Sequence, residues 1–182
     1  MGKDIINKYH NYLLLEKSLS KNTIAAYIRD VKKLLLFFNQ KNITYTQANF
    51  EDFIGFLTSL AKNNISARTQ ARIVSSIRSF YQYLFLEELI KTDPTELLET
   101  PKIEVKLPQV LSVQEINQII AAINLSAPFG QRNKAIIETL YGCGLRVSEL
   151  VNLQLSNIYF EEEFIKVIGK GNKHRLVPIA KS

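Results

Sequence analysis

The spacing of apolar residues changes once along this chain, and that change limits the folds available to it. Up to about residue 153, apolar side chains recur every three or four positions, as in Ile24, Ile28, Val31 and Leu35. This is the period of an amphipathic helix. Beyond that point the period falls to two in three short segments, 157–160, 164–169 and 174–179, as in strands. The sequence therefore predicts a mostly α-helical chain with a small three-stranded β-meander near its end.

Polar residues mark where several of these helices begin. Ser20 or Asn22 can cap the second helix and Ser66 the fourth, because their side chains accept backbone N–H groups at a helix start. Ser112 and Glu115 form a capping box for a further helix, with Ile116, Ile119, Ile120 and Ile123 expected to face inward. Asp93-Pro94-Thr95-Glu96 predicts a short helix by the same logic.

The prolines at 101 and 108 bracket a stretch of alternating charged and apolar residues. Such a segment favours an extended connector. We therefore expect a helical domain over 1–100, a linker over 101–110 and a second domain over 111–182. The aromatic residues of the first domain lie at helical spacing, which favours a hydrophobic core over a platform for stacking bases.

Composition narrows the class of protein without naming a function. Hydrophobic residues make up 46% of the 182 residues and the net charge is +6, which fits a globular protein and permits a polyanionic partner. The single Cys143 rules out an internal disulfide and a cysteine-based zinc cluster, and its expected role is that of a small buried side chain. No signal peptide or long apolar run is visible. The sequence thus predicts a cytoplasmic protein with no membrane partner.

Arg146 is the first candidate for chemistry. It follows the glycine pair Gly142 and Gly144 and stands at the predicted start of a helix. A forked guanidinium in that position can bind two phosphate oxygens and stabilise the negative charge of a phosphoryl transition state. The simpler interpretation is a surface ion pair with Glu149, three residues further along.

Lys170 is the second candidate. It precedes Gly171-Asn172, a pair suited to a two-residue hairpin turn, and therefore stands at the predicted tip of the last hairpin. A lysine held close to a phosphodiester can protonate the departing 5′ oxygen. A solvated basic turn is the alternative. Between Lys166 and Lys181 there are four lysines, one arginine and no carboxylate, and Lys173 and Arg175 are predicted to contact a nucleic-acid backbone.

Other basic and polar residues are candidate phosphate contacts in the first domain. Lys21, Asn22 and Thr23 open the second helix, where backbone and side-chain donors can bind phosphate. Arg68 and Arg72 lie four residues apart on one face of the fourth helix. An ordinary solvated helix surface explains these residues equally well. The two histidines, His10 and His174, do not have the spacing of metal ligands.

Two motifs together carry a family resemblance, GLRVSEL at 144–150 and IGKGNKHRLVP at 168–178. The pair resembles the tyrosine recombinase (phage integrase) family, in particular its Xer-type members. SLSKNTIAAYIRDVKKLLLFF at 18–38 is similar to the opening of the family's helical, SAM-like core-binding domain. Residues 111–182 are similar to the first part of its α+β catalytic domain. The chain ends before the family's downstream His-x-x-Arg and nucleophilic tyrosine, so the resemblance implies a truncated catalytic domain.

The resemblance implies an enzyme that cuts and rejoins duplex DNA through a 3′-phosphotyrosine intermediate, without a metal or other cofactor. Arg146 would bind the scissile phosphate and Lys170 would protonate the leaving oxygen. The expected partners are a duplex recombination site and other recombinase protomers, which form a tetramer on two sites. The expected role is Xer-like resolution of chromosome dimers, linked to chromosome partition and cell division. The chain as given should bind DNA without cleaving it.

Three alternatives remain open at this point. The chain could be a non-catalytic DNA-binding truncation that occupies sites and blocks them. It could belong to the recombinase or integrase of a mobile element, since such enzymes share this domain plan. A helical interaction module with incidental positive charge is the third, and the absence of salt-dependent DNA binding would favour it.

Overall fold

The computed structural model describes residues 2–103, 107–169 and 173–179. For residues 2 and 3 it describes the backbone only. The chain divides into two compact units, Met1–Lys106 and Leu107–Ser182. Within the described ranges it is mostly helical, with one three-stranded sheet. No helix in those ranges combines the length and the apolar character that crossing a membrane requires.

The described part of the N-terminal unit contains four α-helices, and side-chain hydrogen bonds cap the starts of the last three. They are α1 (Gly2–Asn11), which continues into a π-helical turn at Tyr12–Glu16, α2 (Lys21–Gln40), α3 (Phe50–Lys62) and α4 (Ala67–Leu86). Ser20 caps α2 by accepting the Thr23 N–H at 3.3 Å, and Ser66 caps α4 by accepting the Thr69 N–H at 3.4 Å. Both predicted serine caps are confirmed, with Ser20 rather than Asn22 at the cap of α2.

Aromatic side chains fill the core of this unit. Tyr9, Phe38, Phe53, Phe80 and Tyr81 are fully buried. Phe53 and Tyr81 meet edge to face with ring centroids 4.9 Å apart, a favoured aromatic geometry. The prediction that the aromatic stripe forms a core is therefore confirmed.

The predicted short helix at Asp93–Glu96 is wrong. The segment is a turn in which the Asp93 carboxylate accepts hydrogen bonds from the Thr95 N–H at 2.8 Å and the Thr95 hydroxyl at 2.7 Å. The Leu98 N–H then donates to the Thr95 carbonyl at 3.1 Å, and the Leu98 side chain is fully buried. Aspartate bonding to the backbone two residues on stabilises a turn as readily as a helix start.

Three helices open the C-terminal unit, α5 (Val113–Ala121), α6 (Gly130–Gly142) and α7 (Val147–Val151). The predicted capping box is present, since Ser112 Oγ accepts the Glu115 N–H and Glu115 accepts the Ser112 N–H. The inward face of α5 is less covered than expected. Ile116, Ile120 and Ile123 are half-buried and Ile119 is exposed, while Cys143 after α6 is also only half-buried.

The sheet is the predicted antiparallel meander. Its strands are β1 (Ile158–Tyr159), β2 (Phe164–Ile168) and β3 (His174–Pro178), in the order β1-β2-β3. Ile165 pairs with Val177 and Val167 with Arg175. Residues directly opposite each other lie on the same face of a sheet, so Arg175 shares a face with the buried Ile165 and Val167.

The predicted two-residue turn at Gly171-Asn172 falls on residues 170–172, which lie outside the described residues. On either side of them, Gly169 N–H donates to the Lys173 carbonyl at 2.8 Å and Ile168 pairs with His174. A shift by one residue would move Arg175 and Val177 to the opposite face. The observed register therefore places Arg175 and Val177 on the inner face of the sheet.

Candidate functional site

The predicted phosphate contacts at the start of α2 are solvent-facing. Lys21 and Asn22 are exposed and Thr23 is half-buried. The Thr23 hydroxyl lies 2.8 Å from Ser20 Oγ, so it takes part in the helix cap. The start of α4 repeats this arrangement, with the exposed Arg68 between Ser66 and Thr69 and a hydroxyl–hydroxyl distance of 3.0 Å. Each helix thus carries a basic residue in its first turn, next to a serine–threonine cap.

Arg72 occupies a different environment from Arg68. Its guanidinium forms an ion pair and hydrogen bond with Asp30 of α2, a side chain with no exposed surface. Ser76 Oγ donates to the same Asp30 oxygen at 3.0 Å. Burial raises the pKa of Asp30, against the lowering effect of the Ser76 hydrogen bond and of the positive charges of Arg72, Lys33 and Arg29. This pairing gives Arg72 a role inside the fold that the sequence analysis missed.

Asp30 itself had a signal in the sequence. It lies three residues after Tyr27 and four before Leu34, and therefore within the apolar stripe of α2. A carboxylate in such a stripe must be paired, because burying an unpaired charge is costly. The identity of its partner, 42 residues away along the chain, is not visible from that spacing.

A left-handed glycine and a buried leucine place Arg146 at the surface. α6 ends at Gly142, and Gly144 follows with φ +57°, a backbone conformation that glycine adopts without steric cost. Leu145 then enters the small core of Leu145, Ile165 and Val167. Arg146 caps α7 in extended conformation, with 71% of its side chain exposed.

The carboxylate of Glu149 holds this region together. It accepts the Arg146 N–H at Oε2 (2.8 Å) and the Arg146 guanidinium at Oε1 (2.8 Å). Arg175 of β3 donates to both oxygens, Nη1 to Oε1 at 2.7 Å and Nη2 to Oε2 at 2.8 Å. The Glu149 side chain is only 4% exposed. The ion pair of Arg146 with Glu149 that the sequence suggests is therefore present, and most of the Arg146 side chain remains exposed.

Hydrogen bonds control the protonation of this cluster. Those from Arg175, followed by the backbone N–H and the guanidinium of Arg146, hold the pKa of Glu149 well below its usual range. The bonds to Glu149 raise the pKa of Arg175 in turn. Glu149 is consequently ionised at neutral pH, and the cluster of two arginines and one carboxylate has a net charge of +1.

Lys170, the predicted leaving-group acid, lies outside the described residues. Its neighbour Gly169 is described, and a Cβ at that position would lie 3.6 Å from Arg175 Nη1 and 3.7 Å from Glu149 Oε1. Gly169, which follows β2, therefore lies close to the Glu149 cluster. Lys173 is exposed on the other side of the turn.

The structure brings together two of the predicted site residues, Arg146 and Arg175, through the shared Glu149. The sequence predicts Glu149 only as a surface partner of Arg146, and Arg175 as a contact of a nucleic-acid backbone. Neither interpretation anticipated that Arg175 would bind the carboxylate from a strand 26 residues downstream. The signal was the position of Arg175 on the inner face of β3, two residues before Val177.

Two family models match the chain. Residues 6–88 match the phage integrase N-terminal SAM-like domain, and residues 109–182 match the phage integrase family. The match to the second model includes all of the Arg146, Glu149 and Arg175 cluster.

Curated relatives match nearly the whole chain. The tyrosine recombinase XerD of Staphylococcus haemolyticus (strain JCSC1435) is 41% identical over 181 residues, which cover 96% of this chain and 60% of the relative. XerD of Proteus mirabilis is 39% identical over 175 residues, with 96% of this chain and 56% of the relative covered. The chain therefore spans about 60% of the length of such relatives.

A solved structure supports the fold. A lambda integrase tetramer bound to a Holliday junction matches with a TM-score of 0.75 over 99% of this chain and 51% of that chain. The identity is 17%, so this likeness concerns the architecture alone. It agrees with a helical, SAM-like first domain followed by part of an integrase catalytic domain.

Proposed function

Because this chain belongs to the phage integrase family of tyrosine recombinases, we propose that it forms the N-terminal part of a site-specific recombinase. The enzyme cuts and rejoins duplex DNA through a 3′-phosphotyrosine intermediate. Residues 1–100 bind the core of the recombination site, 101–110 connect the domains, and 111–182 supply the first part of the catalytic domain. The similarity to XerD favours chromosome dimer resolution in the cytoplasm over a mobile-element role.

The observation that carries this proposal is the setting of Arg146. Glu149 anchors its guanidinium at one edge, and its side chain as a whole is 71% exposed, in a cluster with net positive charge. An anchored arginine with donors left over is suited to binding the non-bridging oxygens of a phosphodiester. In the reaction, a tyrosine oxygen attacks phosphorus, the bond to the 5′ oxygen breaks, and Lys170 supplies the proton that this oxygen takes.

Binding to phosphate is tested with the chain itself. We expect the affinity for a labelled duplex of mixed sequence to fall linearly with salt on a log–log plot, with a slope of about −0.9 per phosphate contact. Arg146→Met should reduce the magnitude of this slope by about 0.9, because it removes one phosphate contact. Lys41→Met, at the far end of α2, is the control for charge and should keep the wild-type slope. Fluorescence anisotropy at several salt concentrations measures both, and a wild-type chain that shows no salt-dependent binding contradicts the proposal.

The role of Lys170 is tested in a protein that extends through the rest of the catalytic domain. Lys170→Ala should lower the cleavage rate by about 10²–10³, as the loss of one positioned catalytic donor does. A substrate with sulfur in place of the 5′ leaving oxygen should restore the rate, since a thiolate departs without a proton. A variant that stays inactive on the sulfur substrate would show that Lys170 is not the acid.

Gene sequence beyond the codon for Ser182 separates this function from a non-catalytic DNA-binding protein. An open reading frame with His-x-x-Arg and then a tyrosine supports the recombinase. A stop codon supports a protein that occupies DNA sites without cutting them. The neighbours of the gene distinguish the Xer-type role from that of a mobile element.

A further inference from the structure

The Glu149 carboxylate has no acceptor capacity left. A carboxylate offers about four lone-pair positions, and Glu149 accepts four hydrogen bonds at 2.7–2.8 Å, two at each oxygen. Arg175 supplies two of them and Arg146 supplies the other two, one from its backbone and one from its side chain. Arg146 therefore makes a single side-chain bond to a carboxylate only three residues away.

Arginine and carboxylate groups prefer a two-bond, forked contact. If both Glu149 oxygens were available, the Arg146 guanidinium would form a forked contact with them. Its N–H donors would then point toward the protein. Arg175 prevents this by making the forked contact itself, from the inner face of β3. The arginine that is 38% exposed takes the carboxylate, and the arginine that is 71% exposed keeps its remaining donors in solvent.

We propose that Arg175 is a positioning residue for phosphate binding by Arg146. By saturating Glu149 it limits Arg146 to one anchoring bond and gives the cluster a net charge of +1. Without Arg175, Arg146 and Glu149 form a closed pair with net charge zero. The inference rests on the proposed function, and it differs from the sequence-based prediction that Arg175 itself contacts the DNA backbone.

The first experiment measures the salt slope of duplex binding. Arg175→Met keeps much of the apolar stem and removes the guanidinium, and it should reduce the slope by about 0.9, the value for one phosphate contact. Adding Glu149→Gln should restore the wild-type slope, because an uncharged side chain no longer draws Arg146 away. If Arg175 binds phosphate directly, or only supports the fold, the second substitution will not restore the slope, and the proposal fails.

Lys134→Gln is the matched control. Lys134 lies in the same unit, forms an ion pair with Glu138 at 3.6 Å and is 39% exposed, close to the value for Arg175. The control therefore removes one charge and one ion pair of similar exposure. It should keep the wild-type slope, and an equal loss in this variant would show a general charge effect.

A second comparison covers the case in which Arg175→Met does not fold. The double variant Arg175→Met/Glu149→Gln has no unpaired carboxylate and is compared with Glu149→Gln alone. If Arg175 acts only through Glu149, the two proteins have equal slopes. A smaller slope in the double variant overturns the proposal.

Nuclear magnetic resonance of the chain without DNA keeps this inference separate from the proposed function. In the wild type we expect the two Nη groups of Arg146 to give one averaged signal, because a guanidinium held by a single hydrogen bond can rotate. In Arg175→Met the forked contact should slow rotation and separate the signals. Unchanged signals contradict the role of Arg175 even if the wild type binds DNA. Changed signals without DNA binding by the wild type contradict the proposed function, and leave only the effect of Arg175 on the contact between Arg146 and Glu149.

Discussion

The two units each bury a carboxylate beside an arginine, and they do so with opposite results. Asp30 and Glu149 have similarly little exposed surface, 0% and 8% of the residue. Burial raises the pKa of Asp30, whereas hydrogen bonds from two arginines lower that of Glu149. Asp30 accepts from Arg72 and Ser76 at one oxygen, and its other oxygen has no hydrogen-bond partner among the described residues. At Asp30 the effect of burial on the pKa outweighs that of the donors, whereas at Glu149 the hydrogen bonds from Arg175 and Arg146 outweigh burial.

The surroundings of the two carboxylates explain the difference in role. Asp30 lies in a unit with a large aromatic core, where its partners tie α2 to α4. Glu149 lies in a unit whose core has, among the described residues, three buried members, Leu145, Ile165 and Val167. The Asp30 carboxylate therefore forms contacts inside the fold. In the Glu149 cluster, Arg146 is the side chain that is mostly exposed to solvent.

The largest effect should come from the aromatic core. Phe53→Ala should destabilise the N-terminal unit by about 3–5 kcal/mol, because it leaves a cavity among fully buried rings. Ile165→Ala in the C-terminal unit should fall near the lower end of about 2–5 kcal/mol, because its neighbours are half-buried and can rearrange. Amide hydrogen exchange in α3 and α4, and in β2 and β3, measures the two units separately. Phe85→Ala is the control, since Phe85 is 47% exposed, and equal losses for Phe53 and Ile165 would remove the contrast between the cores.

A smaller effect should appear when the pH is lowered, with opposite sign in the two units. The pKa of Glu149 is lower in the folded state, so its stabilising contribution is present above its ordinary pKa of 4.5 and is lost as the pH falls below that value. The pKa of Asp30 is higher in the folded state, so its contribution is most favourable below 3.8 and decreases as the pH rises through the folded pKa.

Variants isolate these two contributions from the other carboxylates. The difference in stability between wild type and Glu149→Gln, from exchange in β2 and β3, should shrink on acidification. The stability of the wild type relative to Asp30→Asn, measured by exchange in α2 and α4, should increase on acidification. If both differences change in the same direction, the two sites do not differ in the way described above.

Local signals explain why the helix starts were predictable. The caps at Ser20, Ser66 and Ser112 depend on hydrogen bonds that span three residues, so the sequence contains both partners within one turn. The same kind of signal misled at Asp93, where the carboxylate closes a turn two residues long instead of starting a helix.

By itself, the sequence determined the helices, the three strands and the two motifs that hold Arg146 and Lys170, because each depends on spacing within a short segment. Only the tertiary structure decided which carboxylate each arginine meets. Arg72 and Asp30 are 42 residues apart, and Arg175 and Glu149 are 26 apart. It also decided the β2–β3 register, which places Arg175 on the inner face. These contacts form only when separate elements pack, since the gain from pairing two charges depends on burial and geometry that no single segment contains.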